Sequence, residues 1–319
     1  MKAAVVTRFG KRWAIEVREV PTPVPAANQL LVRVRAATVN RTDCGELRHP
    51  LLERYLIARG YPPRNVLGLD FAGEVEAVGP EVSRFKPGNK VFGMCPRGAS
   101  GSQAEYLCIA EISAVAIMPK DTPFDAAPLC EGAWYASGSV AKFCKPGVNA
   151  LIYGASGAIG TAAVQLAKYH GAHVTAVVAS RHVEMARTLG ADRVVDYEAP
   201  EFRALGPDFD FILDAVGKLP VREWRRLLAP TGHLALTDLG PGGEDALPLL
   251  WSAITRSGKV SVPLPRRATA QRFVNFLRER VEAGELRAIV DRKYPLDATA
   301  AAYRYVQTGQ KAGIVVIEP

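Results

Sequence analysis

Residues 150–180 read ALIYGASGAIGTAAVQLAKYHGAHVTAVVAS, and this stretch decides the fold. An apolar run, Ala150 to Tyr153, meets a glycine turn, Gly154-Ala155-Ser156-Gly157-Ala158-Ile159-Gly160. A segment of helical period follows, with Ile159, Ala163, Leu166 and Ala167 available for one face. A second apolar run, Val174 to Ala179, completes a strand–helix–strand unit. Glycines suit the turn because the chain reverses sharply and a pyrophosphate must come within contact distance of backbone N–H groups. The start of the helix adds positive potential for phosphates. The spacing is G-x-x-G-x-x-G rather than G-x-G-x-x-G, so the turn by itself also fits plain helix-on-strand packing. Its setting between two strands and ahead of a helix points to a bound dinucleotide.

The second strand should tell which dinucleotide. A ribose 2′-hydroxyl is usually held by an acidic residue about 20 positions beyond the glycines. Here the chain reads Ala179-Ser180-Arg181-His182, and no carboxylate follows until Glu184. A hydroxyl followed by a guanidinium suits a 2′-phosphate, which Arg181 could grip with two N–H groups. The alternative is that Arg181 is a solvated helix-start residue. NADPH is therefore expected rather than NADH.

With 319 residues, 48% hydrophobic and 23% charged, the chain has the composition of a soluble globular protein large enough for more than one domain. It contains no apolar stretch of membrane-spanning length and no secretory apolar core near Met1, so cytoplasmic residence is expected. The net charge of +8 comes from scattered basic residues rather than a long basic run, and nucleic acid is not expected as a partner. Cys44, Cys95, Cys108, Cys130 and Cys144 lie far apart without a C-x-x-C pair, which argues against a zinc ribbon or a disulfide framework.

Strand composition over 3–7, 13–17, 30–37, 72–78 and 90–94, punctuated by prolines, predicts a compact β domain over 1–121. Helices are expected over 124–129 and 132–144. Further strands follow near 194–197, 211–216, 233–238 and 260–264, alternating with helices near 182–189, 220–228 and 246–256. Such alternation predicts a parallel sheet covered on both faces, a Rossmann-type domain over 122–265. A helix over 269–283, a short strand near 288–291, a helix over 297–307 and a strand over 313–317 predict that 266–319 returns to the N-terminal domain.

The chain resembles the zinc-free quinone oxidoreductase branch of the medium-chain dehydrogenase/reductase superfamily. The likeness runs through Val39-Asn40-Arg41-Thr42-Asp43, Tyr61-Pro62-Pro63 and Leu67-Gly68-Leu69-Asp70-Phe71-Ala72-Gly73-Glu74-Val75. It continues through Phe85-Lys86-Pro87-Gly88, the glycine turn, Asp196-Tyr197, Asp214-Ala215-Val216-Gly217 and Lys311-Ala312-Gly313-Ile314-Val315-Val316-Ile317. It implies an α/β protein with a GroES-like β-rich catalytic domain, a Rossmann domain and a homodimer. It also implies that Gly154, Ser156, Gly157, Ala158 and Ile159 line the pyrophosphate, that Ser180, Arg181 and Tyr197 surround the adenosine phosphate, and that Val216 and Gly217 sit by the nicotinamide ribose.

Zinc-dependent relatives place Cys where Asn40 stands and His-Glu where Leu69-Asp70 stands, with a third ligand near Cys130-Glu131. A catalytic zinc needs three ligands of Cys, His or carboxylate type, so no metal is expected. The resemblance implies catalytic roles for Asn40, Tyr61 and Asp43. Asn40 either steadies the oxygen that gains charge or closes a strand-end turn. Tyr61 either meets the substrate or packs on a proline-rich turn, and Asp43 either joins the site or caps a helix. Ala133-Trp134-Tyr135-Ala136 departs from the family's Gly-Leu-Thr-Ala, putting a phenol in place of a threonine. The expected activity is hydride transfer from NADPH to a quinone or similar activated carbonyl. Reduction of enone or enoyl double bonds, or non-catalytic NADPH binding, stand as alternatives.

Overall fold

The computed structural model describes residues 1–48, 65–96, 101–127, 129–238, 259–262 and 269–319. Tyr61 and the helix expected over 246–256 lie outside these residues. The chain divides into two compact units, one formed by Met1–Glu131 with Arg267–Pro319 and the other by Gly132–Arg266.

The first unit begins with the antiparallel pair β1 (Lys2–Arg8) and β2 (Ala14–Glu19). The long strand β3 (Gln29–Val39) ends at the short helix α1 (Arg41–Arg48). Strands β4 (Asp70–Val78), β5 (Lys90–Met94), β6 (Tyr106–Ala110) and β7 (Val115–Ile117) follow. The helix expected over 124–129 is only a 3-10 turn, Phe124–Ala126, opened by Pro123. Pro128 supplies no N–H with which to continue it, and the next helix, α2 (Cys130–Phe143), starts afresh.

In the second unit, β8 (Asn149–Tyr153) leads through the glycine turn into α3 (Ala158–Tyr169) and then β9 (His173–Val178). Helix α4 (Val183–Thr188), β10 (Arg193–Asp196), helix α5 (Pro200–Arg203) and β11 (Phe209–Asp214) follow. Helix α6 (Val221–Arg225) then leads to β12 (Leu228–Leu236) and β13 (Val260–Ser261). These strands pair in parallel in the order β10-β9-β8-β11-β12-β13. That is the doubly wound order in which connections reverse direction between β8 and β11, and ligands gather outside the carboxyl ends there. The central strands are almost wholly buried because helices cover both faces. One side of the sheet packs Tyr153, Phe202, Ile212, Trp224 and Leu234 into a common core.

The C-terminal residues add α7 (Ala270–Glu282), β14 (Val290–Pro295), α8 (Thr299–Gln307) and β15 (Ile314–Glu318) to the first unit. Strand β15 pairs antiparallel with β3, setting Val316 opposite Thr38, and the sheet runs β14-β15-β3-β4-β5-β7 with β6 also on β3. Its core joins Leu30, Val32, Phe71 and Leu107 to Tyr303 and Val306 of α8 and Val315 and Ile317 of β15.

Candidate active site

The glycine turn is built by contacts that leave no room for side chains. Gly154 has φ +74°, a left-handed conformation, and a Cβ there would stand 2.2 Å from Cγ2 of Val216. A Cβ on Gly160 would stand 2.1 Å from the Gly154 carbonyl oxygen, so α3 can approach the end of β8 only with glycine there. Gly157, the N-cap of α3, has nothing nearer than 3.7 Å to its would-be Cβ, and Thr161 makes the first helical bond to its carbonyl. The space left over Gly157 lies above the first amides of α3, at a helix start of the kind that favours an anion. Ser156, Gly157, Ala158 and Ile159 are each partly exposed.

Across the switch point, Asp214 at the carboxyl end of β11 is fully buried. Its Oδ1 accepts the N–H groups of Val216 (2.8 Å) and Gly217 (2.9 Å), and its Oδ2 accepts Nε1–H of Trp224 at 3.0 Å. One carboxylate thus shapes the loop carrying both residues expected beside the nicotinamide ribose. Tyr153 lies against Trp224 and Phe202, and burial pushes its phenol up to about 12.

At the outer carboxyl edge, Ser180 opens a 3-10 turn directly after β9. Register places Asp196 of β10 beside Val178 of β9. Ser180 Oγ donates to Asp196 Oδ2, while Asp196 Oδ1 accepts the Glu198 N–H at 2.9 Å. Both bonds, the serine's first, hold the Asp196 carboxyl below the usual carboxylate range. Arg181 is exposed and its Nε–H meets His182 Nε2 at 3.1 Å, while Tyr197 is 40% exposed. Ser180, Arg181 and Tyr197 therefore lie at one edge, where the Asp196 carboxylate, read from the sequence only as part of the Asp196-Tyr197 mark, binds Ser180. Asp196 is 16 positions beyond Ser180, and only strand pairing brings them together.

In the first unit, Asn40 follows β3 and caps α1. Its N–H donates to Asp43 Oδ2 at 2.7 Å, and Cys44 N–H bonds back to its carbonyl at 3.2 Å. Asp43, at the third helical position, thus makes the reciprocal half of a capping box. The Asn40 amide donates to Thr38 Oγ1 at 3.1 Å, and the residue is 3% exposed. Asp70, at the start of β4 and fully buried, caps the other helix, its Oδ1 accepting the Glu131 N–H at 2.8 Å. Burial, then the neighbouring Glu131 carboxyl, push Asp70 well above its ordinary value. Burial raises Glu131 too, against hydrogen bonds from Thr42 and Asn40. Lys311 is half-buried and donates to the Gly313 carbonyl; desolvation lowers its ammonium to about 8, with Glu131 and Asp291 opposing. Glu131 thus lies within electrostatic reach of the Asp70 carboxyl and the Lys311 ammonium, with the Asn40 amide hydrogen-bonded to it.

A catalytic zinc does not fit these residues. Asn40 and Leu69 carry neither thiolate nor imidazole, and Asp70 is turned to the backbone of α2. Among the described residues, no three His, Cys, Asp or Glu side chains gather closely enough to hold a metal ion.

Comparison with known proteins agrees with this architecture. Residues 26–123 match the alcohol dehydrogenase GroES-like domain, and residues 189–317 match the zinc-binding dehydrogenase family. The chloroplastic quinone-oxidoreductase homolog of Spinacia oleracea is 32% identical over 96% of this chain and 94% of its own length. The 2-methylene-furan-3-one reductase of Solanum lycopersicum is 29% identical over the whole of this chain and 79% of that protein. The solved quinone oxidoreductase of Coxiella burnetii shares the fold, with a TM-score of 0.85 at 24% identity, over 100% of this chain and 99% of that one. The cradle after β8 and the doubly wound sheet imply a nicotinamide cofactor. With relatives so similar along nearly its full length, the chain belongs to the medium-chain dehydrogenase/reductase superfamily, in its quinone-oxidoreductase branch, and is an oxidoreductase.

Proposed function

We propose that this enzyme transfers hydride from NADPH to a quinone or similarly activated carbonyl. The observation that carries the reading is the cradle at Gly157, open above the first amides of α3 and bounded by two glycines that admit no Cβ. When bound, the cofactor supplies a hydride. The chain's own residues bind and orient it: Gly154, Ser156, Gly157, Ala158 and Ile159 at the pyrophosphate, and Val216 and Gly217 at the nicotinamide ribose. Ser180, Arg181 and Tyr197 take the adenosine end, where the Arg181 guanidinium suits a 2′-phosphate.

The acceptor class follows from the donor set. Asn40 and Leu69 give no Lewis acid a purchase, so the acceptor must already be electron-poor. Quinones and conjugated carbonyls meet that condition. Asn40 and Asp43 then order the buried cluster, with Lys311 and Glu131 as groups able to exchange a proton as the acceptor oxygen gains charge. Tyr61 remains a proposed substrate contact. Likeness to the tomato reductase supports enone double bonds as a second acceptor class.

The test is loss of NADPH absorbance against a panel of quinones and enones, with products identified. Quinone turnover is expected, with Arg181→Ala raising the KM for NADPH about tenfold, the size of one lost charged hydrogen bond. Absence of turnover with every acceptor, or an unchanged KM in the variant, overturns the assignment. We further propose a homodimer joined through β13, an edge strand among the described residues, to be checked by sedimentation. Five free cysteines fit a reducing compartment such as the cytoplasm.

A further inference from the structure

We propose that Asp196 sets the enzyme's choice between NADPH and NADH, holding Ser180 as a hydrogen-bond acceptor so that both cofactors are used. The inference rests on the reading above that the adenosine end of the cofactor lies over the carboxyl ends of β9 and β10. An acidic residue that selects NADH usually stands at the end of the second strand of such a sheet. Here that position holds Ser180, and the acid arrives from the third strand instead.

The hydrogen-bond directions decide what the edge can recognise. Ser180 has one hydroxyl proton, and it goes to Asp196 Oδ2. The serine oxygen is left with lone pairs for a ligand, as is the carboxylate. Such an edge accepts from a ribose 2′-hydroxyl, which is a donor. It offers nothing to a 2′-phosphate, whose oxygens are acceptors and whose charge Asp196 repels. Arg181, one residue along, acts in the opposite sense and attracts that phosphate. The Glu198 N–H fixes Asp196 Oδ1, so the carboxylate cannot swing away and leave the serine free. The hydrogen bonds from Ser180 and the Glu198 N–H hold Asp196 below its ordinary value, which favours its charged form. Attraction by Arg181 and repulsion by Asp196 leave the two cofactors within about tenfold of each other in kcat/KM, since Arg181 is exposed, Asp196 is only half-buried, and water screens both charges.

The experiment measures kcat/KM for NADPH and for NADH with one quinone, in the wild type, Asp196→Asn, Ser180→Ala and Arg181→Ala. Asparagine keeps the shape and can still accept the Glu198 N–H, while releasing the serine proton and removing the charge. Asp196→Asn should raise the NADPH/NADH ratio about tenfold through a lower KM for NADPH, and high salt should shrink the gain. Ser180→Ala should raise the KM for NADH, since the accepting oxygen is gone. Arg181→Ala should move the ratio the other way. If Asp196→Asn leaves the ratio unchanged while Arg181→Ala lowers it, this inference falls and the NADPH assignment survives. If no variant alters the KM of either cofactor, the adenosine end lies elsewhere, and both readings fall.

Discussion

Gly160 is the position at which one added methyl group tests the cradle most directly. A Cβ there would sit 2.1 Å from the Gly154 carbonyl oxygen and 2.6 Å from the Ala155 Cα, both backbone atoms. Ordinary contact is about 3.5 Å, so in Gly160→Ala helix α3 must retreat by about 1 Å or the turn must open. Overpacking of this kind costs about 1–3 kcal/mol. Alanine returns about 1 kcal/mol through its better helical propensity, leaving a net loss of up to about 2 kcal/mol. At roughly 2–4 °C per kcal/mol, the melting temperature should fall by up to about 8 °C. The same retreat carries the first amides of α3 away from the pyrophosphate, and a misplacement of this size costs on the order of 100-fold in kcat/KM. Gly157→Ala is the companion variant. Its Cβ meets nothing nearer than 3.7 Å, so the fold should lose only about 0.5–1 kcal/mol of N-cap preference while NADPH binding weakens. Thermal melts and NADPH fluorescence titrations on both variants supply the readout. A Gly160→Ala protein with wild-type melting temperature and wild-type affinity would refute the packing argument.

Asp214→Asn should destabilise the second unit by about 2–4 kcal/mol, because an amide cannot accept the N–H groups of Val216, Gly217 and Trp224 together; denaturant melts would show it, and an unchanged midpoint would remove the carboxylate from the loop's construction. Lys311→Met should alter the pH dependence of stability in one direction. The folded value near 8 lies below the unfolded one, so the unfolded chain binds more protons between the two and wild-type stability rises with pH across that window. Melts of the variant, measured from pH 7 to 10, should lack that rise, which then appears as the difference between wild type and variant. Asp70→Asn should melt at or above the wild-type temperature at neutral pH, since the raised carboxyl favours the neutral form and the amide oxygen can still cap Glu131. Its advantage should disappear as pH falls below the unfolded aspartate value of about 3.9, where the carboxyl becomes protonated in both states, and Asp70→Ala should lie about 1 kcal/mol below Asp70→Asn at every pH.

The dinucleotide turn was legible because its determinants are local: Gly154, Gly157 and Gly160 stand within one turn, between an apolar strand and a helix of regular period. That the sheet is parallel followed from the alternation of strands and helices, while its strand order came only with the structure. What escaped reading was non-local. Asp196 meets Ser180, and Asp70 meets Glu131, only because strands and helix starts converge after folding. Short elements escaped for another reason. Strands β6 and β7 and helix α1 carry too few residues to show a period, and α1 is polar in composition. Asp43 was readable both as a site residue and as a cap; the hydrogen bond from the Asn40 N–H supplies the cap, a geometry that residue type alone does not specify.

The first unit is discontinuous, and that has a consequence for synthesis. Strand β3 acquires its β15 neighbour only through Val315, Val316 and Ile317, near the far end of the chain. During translation the carboxyl end of β3 must therefore wait, with one edge unpaired, until residues 315–317 have left the ribosome. The nucleotide-binding unit suffers no such delay, because its sheet closes from residues between Gly132 and Arg266. It should mature first and serve as an anchor while the interrupted unit is stitched together. A chain stopped ahead of Ile314 would be expected to hold its cofactor cradle intact and yet present an open strand to chaperones.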